Sequence, residues 1–334
     1  MNNSWSDKES SKFKDDLALR VYTSRLLGKE PSLVLHGGGN TSVKITETNL
    51  VGDEEEILYV KGSGWDLISI EKEGFSPVRM EHMMKLSKLE SLSDPQMVNE
   101  LITQLTNITA PAPSVETILH AILPFKYVDH THADAVVTIS NTLNGEAKIR
   151  EIYGNRVIVI PYVMPGFDLA KEVGRLFIEN ATEKTEGLIL LNHGVFSFGN
   201  TARLAYDRMI NIVDTAEQYL VNHNAWDVER SLNKVSTKSM HIAVAQLRKG
   251  ISLVVGSPVL LNITNSERGI DFSNRSDVAE IATRGPVTPD HVIRTKRIPM
   301  IGRDVEKFEQ EYISYFKTNE PNAKERKTML DAAP

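Results

Sequence analysis

Residues 127–139 read YVDHTHADAVVTI, and this stretch decides the fold because two histidines stand two positions apart inside an apolar run. The run predicts a buried strand from Tyr127 to about Ile139, in which residues i and i+2 project from the same face. The imidazoles of His130 and His132 can therefore meet one metal ion without distorting the backbone. Hydrogen-bonded core histidines would give the same pattern, so both interpretations remain open at this point.

Two further stretches supply partners for these rings. His193 follows the apolar run LILL and precedes Gly194, which predicts a ligand at a strand end. Three neutral imidazoles leave one coordination position open, as is typical of catalytic metal sites. Glu116 falls in the first turn of a helix predicted after residues 113–114, where it could cap the helix or take a proton from a substrate hydroxyl. We interpret His120, one turn later, as structural or as support for the site.

The composition limits the chemistry that the chain can perform. Its 334 residues contain no cysteine, so a transition metal would need imidazole and carboxylate ligands. Lys and Arg number 38 against 44 Asp and Glu, and the resulting formal charge of −6 argues against nucleic-acid binding. The first residues lack the apolar core of a signal peptide, and no apolar run reaches the length of a membrane span. We therefore expect a cytoplasmic protein.

Alternating periodicities predict an α/β domain over residues 1–225 and a C-terminal appendage of unknown role over residues 226–334. Ser-Pro at 76–77 and Asp-Pro at 94–95 each predict a helix start, because a capping residue precedes a proline. The other predicted strands lie at 33–36, 41–46, 57–61, 157–160, 188–192 and 195–198, and the other predicted helices at 12–27, 147–153, 168–178 and 201–221. The sequence TPD at 288–290 predicts a turn or a helix start.

Two glycine-rich turns follow predicted strands. The first, LHGGGNTS at 35–42, lacks the third glycine of G-x-G-x-x-G and continues into a predicted strand, which argues against a nucleotide site. The second is KGSG at 61–64. Each could be a tight turn that needs positive φ, but together they predict backbone N–H groups and hydroxyls arranged around a phosphate.

The chain resembles the class II aldolase/adducin-head family over roughly residues 15–222. The motifs that carry the resemblance occur in the family's order: G-N-x-S at 39–42, a T/S-G turn at 63–64, P-S-S-E at 113–116, H-x-H at 130–132 and N-H-G at 192–194. Within the family, LHGGGNTSVK, YVKGSGWDL and RGPVTPDHVIRTKR are most similar to the aldolase half of bifunctional rhamnulose-phosphate aldolase/short-chain dehydrogenases. The last of these stretches lies in the predicted appendage.

This resemblance implies a three-layer αβα fold with a mainly antiparallel central sheet, assembled as a homotetramer. It implies that zinc is held by His130, His132 and His193, with Glu116 as the acid/base. The phosphate of a small sugar substrate would be surrounded by Gly39, Asn40, Ser63, Gly64 and Ser114. The implied reaction is retro-aldol cleavage of a ketose 1-phosphate, such as rhamnulose 1-phosphate, to dihydroxyacetone phosphate and an aldehyde.

Two departures from the family pattern keep other functions open. Val115 replaces the second serine of P-S-S-E and so removes a hydroxyl from the phosphate site. No dinucleotide fingerprint occurs, so we expect a stand-alone aldolase-like protein or a partner of a separate dehydrogenase. The alternatives are an epimerase, dehydratase or decarboxylase that uses the same site, and a non-catalytic adducin-like assembly module. Arg294, Lys296 and Arg297 could reach a phosphate or dock a partner, although a solvated face is the preferred interpretation.

Overall fold

The computed structural model describes residues 1–226, 240–264, 266–323 and 326–334. The chain divides into two compact units, one of Met1–Asp227 with Val287–Arg294 and the other of Val228–Pro286 with Thr295–Pro334. The predicted appendage is continuous from residue 226, whereas in the structure residues 287–294 pack with the first unit.

One sheet carries the first unit. Its strands are β1 (Asn40–Thr48), β2 (Glu54–Lys61), β3 (Phe75–Arg79), β4 (Tyr127–Thr131), β5 (Val157–Ile160), β6 (Gly187–Leu190) and β7 (Gly194–Gly199). They are ordered β3-β2-β1-β4-β7-β6-β5. Neighbouring strands are antiparallel except β5 and β6, which are parallel. The predicted α/β fold is confirmed, and the sheet, predicted to be mainly antiparallel, is mixed: all its pairs are antiparallel except β5–β6.

Helices cover both faces of this sheet. They are α1 (Asp7–Ser10), α2 (Asp16–Gly28), α3 (Met80–Leu86), α4 (Asp94–Thr103), α5 (Thr117–Ile122), α6 (Asp134–Ser140), α7 (Gly145–Tyr153), α8 (Phe167–Asn180) and α9 (Ala202–Asn222). Helices α2, α6, α7 and α9 share one apolar core with Val159 of β5, whereas α3, α4, α5 and α8 share the other with Ile158. Successive strand residues point to opposite faces, so one strand serves both cores.

The remaining helices lie towards the C-terminus. The second unit contains α10 (Met240–Val255), α11 (Glu267–Ser273), α12 (Val278–Ala282) and α14 (Val305–Asn319), whereas α13 (Pro289–Val292) belongs to the first unit. The helix start predicted at 288–290 is confirmed, since Thr288 precedes α13. Across the described residues, no helix has both the length and the apolarity needed to cross a bilayer.

Three local predictions were wrong. The strand predicted over 127–139 ends at Thr131, and α6 begins three residues later. The helix predicted at 76–77 is the edge strand β3, in which Pro77 pairs with Tyr59 and needs no N–H partner on its outer side. Residues 33–36 form no strand, although the carbonyl of Leu33 accepts a hydrogen bond from the backbone of His132.

Candidate metal centre

The central strands β1, β4 and β7 bring the predicted ligands together. In the sheet register, His130 lies between Asn40 of β1 and Phe196 of β7, and His132 follows two residues later just beyond the end of β4. His193 precedes β7 on the turn from β6, where Asn192 has a φ of 57°. Ligand atoms of His130, His132 and His193 all lie within 4.8 Å of one another, and the three rings are buried.

Gly194 explains why the third ligand can approach so closely. A Cβ on this residue would lie 2.4 Å from the carbonyl oxygen of Thr131, 3.0 Å from the ring of His132 and 3.2 Å from that of His130. A side chain there would therefore push β7 away from β4 and separate the rings. The N-H-G motif thus contains a ligand and the glycine that lets that ligand reach its neighbours.

The outer nitrogen of two rings has a backbone or carboxylate acceptor. Nδ1 of His130 donates to the carbonyl of Val195 over 3.0 Å, and Nδ1 of His132 donates to Oδ1 of Asp290 over 2.8 Å. Because carbonyl and carboxylate oxygens can only accept, both protons reside on Nδ1. The two Nε2 atoms face each other 3.0 Å apart, and a cation bound by both nitrogens would stabilise this arrangement.

Glu116 lies beside the same group of nitrogens. Its Oε2 is 3.5 Å from Nε2 of His130, and its Oε1 is 3.5 Å from Nε2 of His193. Oε1 is buried and has no hydrogen-bond partner among the described residues. Three imidazole nitrogens and an unsatisfied carboxylate oxygen form a donor set that fits a divalent cation.

The electrostatics favour a carboxylate surrounded by neutral rings. Burial alone would raise the pKa of Glu116, but the positive charge that His130 and His193 carry when protonated and the Asn40 amide outweigh it and lower that pKa to about 2. Burial lowers the pKa of His130 well below its ordinary value, and it also lowers that of His193. Neutral imidazole is the form that binds a metal ion, so the local environment prepares the rings for this role.

A chain of hydrogen bonds supports Glu116 from behind. Asn40 Nδ2 donates to Glu116 Oε2 over 2.7 Å and to Ser114 Oγ over 3.1 Å. The oxygen of the same amide accepts from Nε2 of His120, and Nδ1 of that ring accepts from the Ser42 hydroxyl over 2.8 Å. Burial lowers the pKa of His120 to about 3, so this ring stays neutral. His120 therefore supports the site from outside the group of ligands.

The residues predicted around a phosphate differ in their contacts with the metal centre. Gly39 has a φ of +60°, and a Cβ there would lie 2.7 Å from the carbonyl oxygen of His130. Ser114 is linked to Glu116 through Asn40, as described above. Ser63 and Gly64 are exposed on the second glycine turn, which is tied to the segment before Ser114 by the Ser63 N–H donating to the Ala112 carbonyl over 2.8 Å.

The sequence did not indicate that two buried charged residues belong near this site. Asp290, which contacts His132, lies 158 positions further along the chain. Lys61 ends β2 and donates from Nζ to the carbonyl of Gly37 over 2.8 Å; burial lowers its pKa to about 8. The only sequence signal for Lys61 was a lysine closing an apolar strand, and the signal for Asp290 was the resemblance of its stretch to one subgroup of the family.

Comparisons with known proteins agree with this geometry. The model of the class II aldolase and adducin N-terminal domain matches residues 18–220, more than half of the chain, and the model of the class II aldolase second domain matches residues 238–334. The N-terminal class II aldolase domain of a conserved protein from Thermoplasma acidophilum is 44% identical. It has a TM-score of 0.61 and covers 66% of this chain and 99% of its own.

Two other relatives have lower sequence identity to this chain. An uncharacterized oxidoreductase of Bacillus subtilis (strain 168), YuxG, is 31% identical over 99% of this chain, which spans 50% of that relative's length. An L-fuculose-1-phosphate aldolase from Thermus thermophilus is 18% identical, with a TM-score of 0.39, over 63% of this chain and 97% of its own. Taken with the long match to the family model, the site and the fold place this chain in the class II aldolase and adducin family.

Proposed function

We propose that this chain is a zinc-dependent class II aldolase. Its substrate would be a ketose 1-phosphate similar to rhamnulose 1-phosphate, which it would cleave to dihydroxyacetone phosphate and an aldehyde. The observation that supports this proposal best is the meeting of three histidine nitrogens within 4.8 Å of one another, with the unsatisfied Oε1 of Glu116 beside them. His130, His132 and His193 would hold the ion and leave a position open for the substrate.

When bound, zinc supplies Lewis-acid polarisation of the substrate ketone, which is worth several kcal/mol of charge stabilisation. Glu116 removes the proton from the hydroxyl on the carbon beyond the breaking bond. That oxygen becomes the aldehyde carbonyl as the carbon–carbon bond breaks, and the electron pair of the bond moves towards the ketone. Glu116 then returns the proton to the carbon that lost its neighbour, which yields dihydroxyacetone phosphate.

The phosphate would bind at the exposed end of the site. Hydroxyl and backbone donors are offered there by Ser63, Gly64 and Ser114. The backbone of Gly39 and Asn40 leads into β1 beside them. Asn40 donates to both Ser114 and Glu116. We therefore propose that Asn40 keeps the phosphate end and the proton-transferring end of the substrate in register.

A substrate panel tests this function. The purified, zinc-loaded chain is incubated with several ketose 1-phosphates and with their unphosphorylated sugars, and dihydroxyacetone phosphate is followed by a coupled enzymatic assay. The proposal expects dihydroxyacetone phosphate from at least one phosphorylated ketose, with rhamnulose 1-phosphate among the best. Absence of the product from every ketose phosphate, with zinc bound, would overturn the aldolase assignment.

One observation favours keeping a second reaction class. Val115 is exposed beside Ser114 and offers no hydroxyl to a phosphate. An epimerase, dehydratase or decarboxylase could use the same residues on a substrate bound less firmly at that end. Proton NMR of the same incubations separates the cases, because an epimer, a dehydrated sugar or a decarboxylated product would accumulate without dihydroxyacetone phosphate.

Partners and assembly are also part of the proposal. The Bacillus subtilis relative is described as an oxidoreductase, and this chain spans half of its length. We propose a separate dehydrogenase as the partner that oxidises the aldehyde product, and a cytoplasmic homotetramer as the working assembly. Light scattering of the purified chain measures the assembly, and consumption of the aldehyde only after a dehydrogenase is added tests the partner.

A further inference from the structure

We propose that Asp290 is a positioning residue of the metal centre: it fixes the ring of His132 so that Nε2 of that ring faces the ion. This inference rests on the metal-binding role proposed above. Asp290 lies on α13, in the segment 287–294 that packs with the first unit although its neighbours on both sides belong to the second. The carboxylate therefore comes from a part of the chain outside the central sheet.

Both oxygens of this carboxylate are engaged in the protein interior. Oδ1 accepts from Nδ1 of His132 over 2.8 Å, and Oδ2 accepts from the backbone N–H of Leu35 over 3.1 Å. Asp290 is 3% exposed and His132 is 6% exposed. A buried charge is costly unless it is paired and hydrogen-bonded, and two donors on different segments meet that requirement. The carboxylate is thus held in one orientation and in turn holds the ring.

Gly38 provides independent support for this contact. Its φ is not positive, so its backbone conformation does not require glycine. A Cβ on Gly38 would instead lie 1.3 Å from Oδ1 of Asp290 and 2.4 Å from Cγ. The carboxylate occupies the place where a side chain would be, so the middle glycine of the first turn is explained by the approach of Asp290.

The segment that carries Asp290 is fixed at both ends. Near its start, Nδ2 of Asn141 donates to the carbonyl of Val287 over 3.1 Å. At its end, Nε of Arg294 donates to the carbonyl of His36 over 2.9 Å, next to the glycine turn. The sequence suggested Arg294 as a residue that could reach a phosphate or dock a partner. In the structure this hydrogen bond ties the end of the segment to the glycine turn. With both ends fixed, the carboxylate is placed by the fold of the segment and not by its own side chain alone.

A carboxylate on the outer nitrogen of a metal-binding histidine fixes the tautomer and raises the basicity of the ligand, and its loss typically lowers metal affinity by about 10–100-fold. In Asp290→Asn, the new amide can satisfy only one of the two donors, because its NH₂ must face either Leu35 N–H or His132. If it faces the ring, His132 has to carry its proton on Nε2, where the metal would bind. The substitution keeps the shape of the side chain and removes its function.

The test measures zinc affinity of the full-length chain by competition with a chromophoric chelator. We expect Asp290→Asn to weaken zinc binding by about 10–100-fold. Asp66→Asn is the matched control, because Asp66 borders the same turn beside Gly37 and not beside His132; it should bind zinc like the wild type. If Asp290→Asn binds zinc as tightly as the wild type, the positioning role is wrong while the proposed function stands. A wild type that binds no zinc overturns both.

Two further measurements do not depend on the stability of that variant. Nitrogen-15 histidine NMR of the wild-type protein should show His132 protonated on Nδ1, and a proton on Nε2 would overturn the proposal. Gly38→Ala should lower the melting temperature and zinc affinity of the wild type but cost much less stability in an Asp290→Ala background, where the added methyl group has room. Equal costs in the two backgrounds would contradict the contact.

Discussion

The amide of Asn40 donates to Oε2 of Glu116 over 2.7 Å, and it can do so in one orientation only. The oxygen of the same amide accepts from Nε2 of His120, so a flipped amide would set N–H against N–H on one side and oxygen against carboxylate on the other. Glu116 is therefore held as an anion, with one oxygen engaged and the other turned towards the histidines. The proton-transferring role proposed for this residue depends on that arrangement.

Asn40→Asp should impair turnover without emptying the metal site. The substitution removes the donor to Glu116 and places a second carboxylate against it, and leaving a buried acceptor unsatisfied costs about 1–3 kcal/mol. We expect kcat to fall by roughly 5–150-fold, and the acidic limb of the kcat–pH profile to move upwards because Glu116 loses a stabilising partner. Steady-state kinetics and zinc analysis on the same sample check this. Unchanged kcat at full zinc content would contradict the role of Asn40.

Glu116→Gln should separate metal binding from bond cleavage. The amide keeps the shape of the side chain but accepts no proton, and a positioned acid/base typically contributes about 10²–10⁴-fold to the rate. We expect a loss of that size in kcat, with zinc content and melting temperature close to those of the wild type. Glu146→Gln is the control, since that carboxylate forms an exposed pair with Arg150. Full turnover in Glu116→Gln would rule out this residue as the proton-transferring group.

The metal-free protein should lose stability on mild acidification. The pKa of His120 falls from 6.5 to about 3 on folding, and those of His130 and His193 are also lowered by burial. Between pH 6.5 and 3 these three rings thus bind more protons in the unfolded chain than in the folded one, and through them the free energy of unfolding falls as the pH falls. His120 alone should contribute a slope of about 1.4 kcal/mol per pH unit.

Urea unfolding at pH 7.5, 6.5, 5.5 and 5 measures this slope. Glu116, with a folded pKa of about 2, adds its own loss of stability only below its ordinary value of 4.5, outside this range. Zinc should make the loss steeper, because the ion binds neutral rings and is released when they are protonated. Stability that does not change from pH 7.5 to 5 in the metal-free protein would show that these rings are not buried as neutral groups.

Arg20→Met should destabilise the fold by about 3–5 kcal/mol. Arg20 and Asp129 are fully buried, with Nη2 of the arginine 2.5 Å from Oδ1 of the aspartate. Burial raises the pKa of Asp129 despite the arginine, so removing the arginine leaves a carboxylate that must be protonated or remain unpaired. Arg150→Met removes an exposed partner and should cost less than about 1 kcal/mol. Similar midpoints for the two variants in urea would contradict this prediction.

Elements with a clear period could be predicted from the sequence, and elements shaped by tertiary contacts could not. The strand at 157–160 and the helices over 168–178 and 201–221 were confirmed within a few residues. The strand is a short continuous apolar run, VIVI, and in the helices apolar residues repeat at three to four positions. The stretch 127–139 contains no glycine or proline that would mark the end of a strand, so the sequence contained no sign of the change from β4 to α6. Ser76-Pro77 carried the signals of a helix start, but pairing with β2 places it in an edge strand.

The candidate site shows the same division. Glu116, His130, His132 and His193 were singled out by residue type and spacing, and the structure brings them together. Asp290 and Lys61 were not singled out, because each becomes significant only through a contact made by folding. Asp290 in particular meets His132 across 158 positions, and no local pattern records such a pairing. The helix start around it was predictable, but its use at the site was not.

Removal and return of zinc tests the central claim most directly. The wild-type chain is assayed for dihydroxyacetone phosphate release from rhamnulose 1-phosphate as purified, after dialysis against a chelator, and after addition of one equivalent of zinc. The proposed function predicts product before dialysis, loss of at least nine-tenths of the rate in the metal-free protein, and recovery with zinc. Product release that continues at the same rate in demonstrably zinc-free protein, or no product at full zinc occupancy, would contradict it.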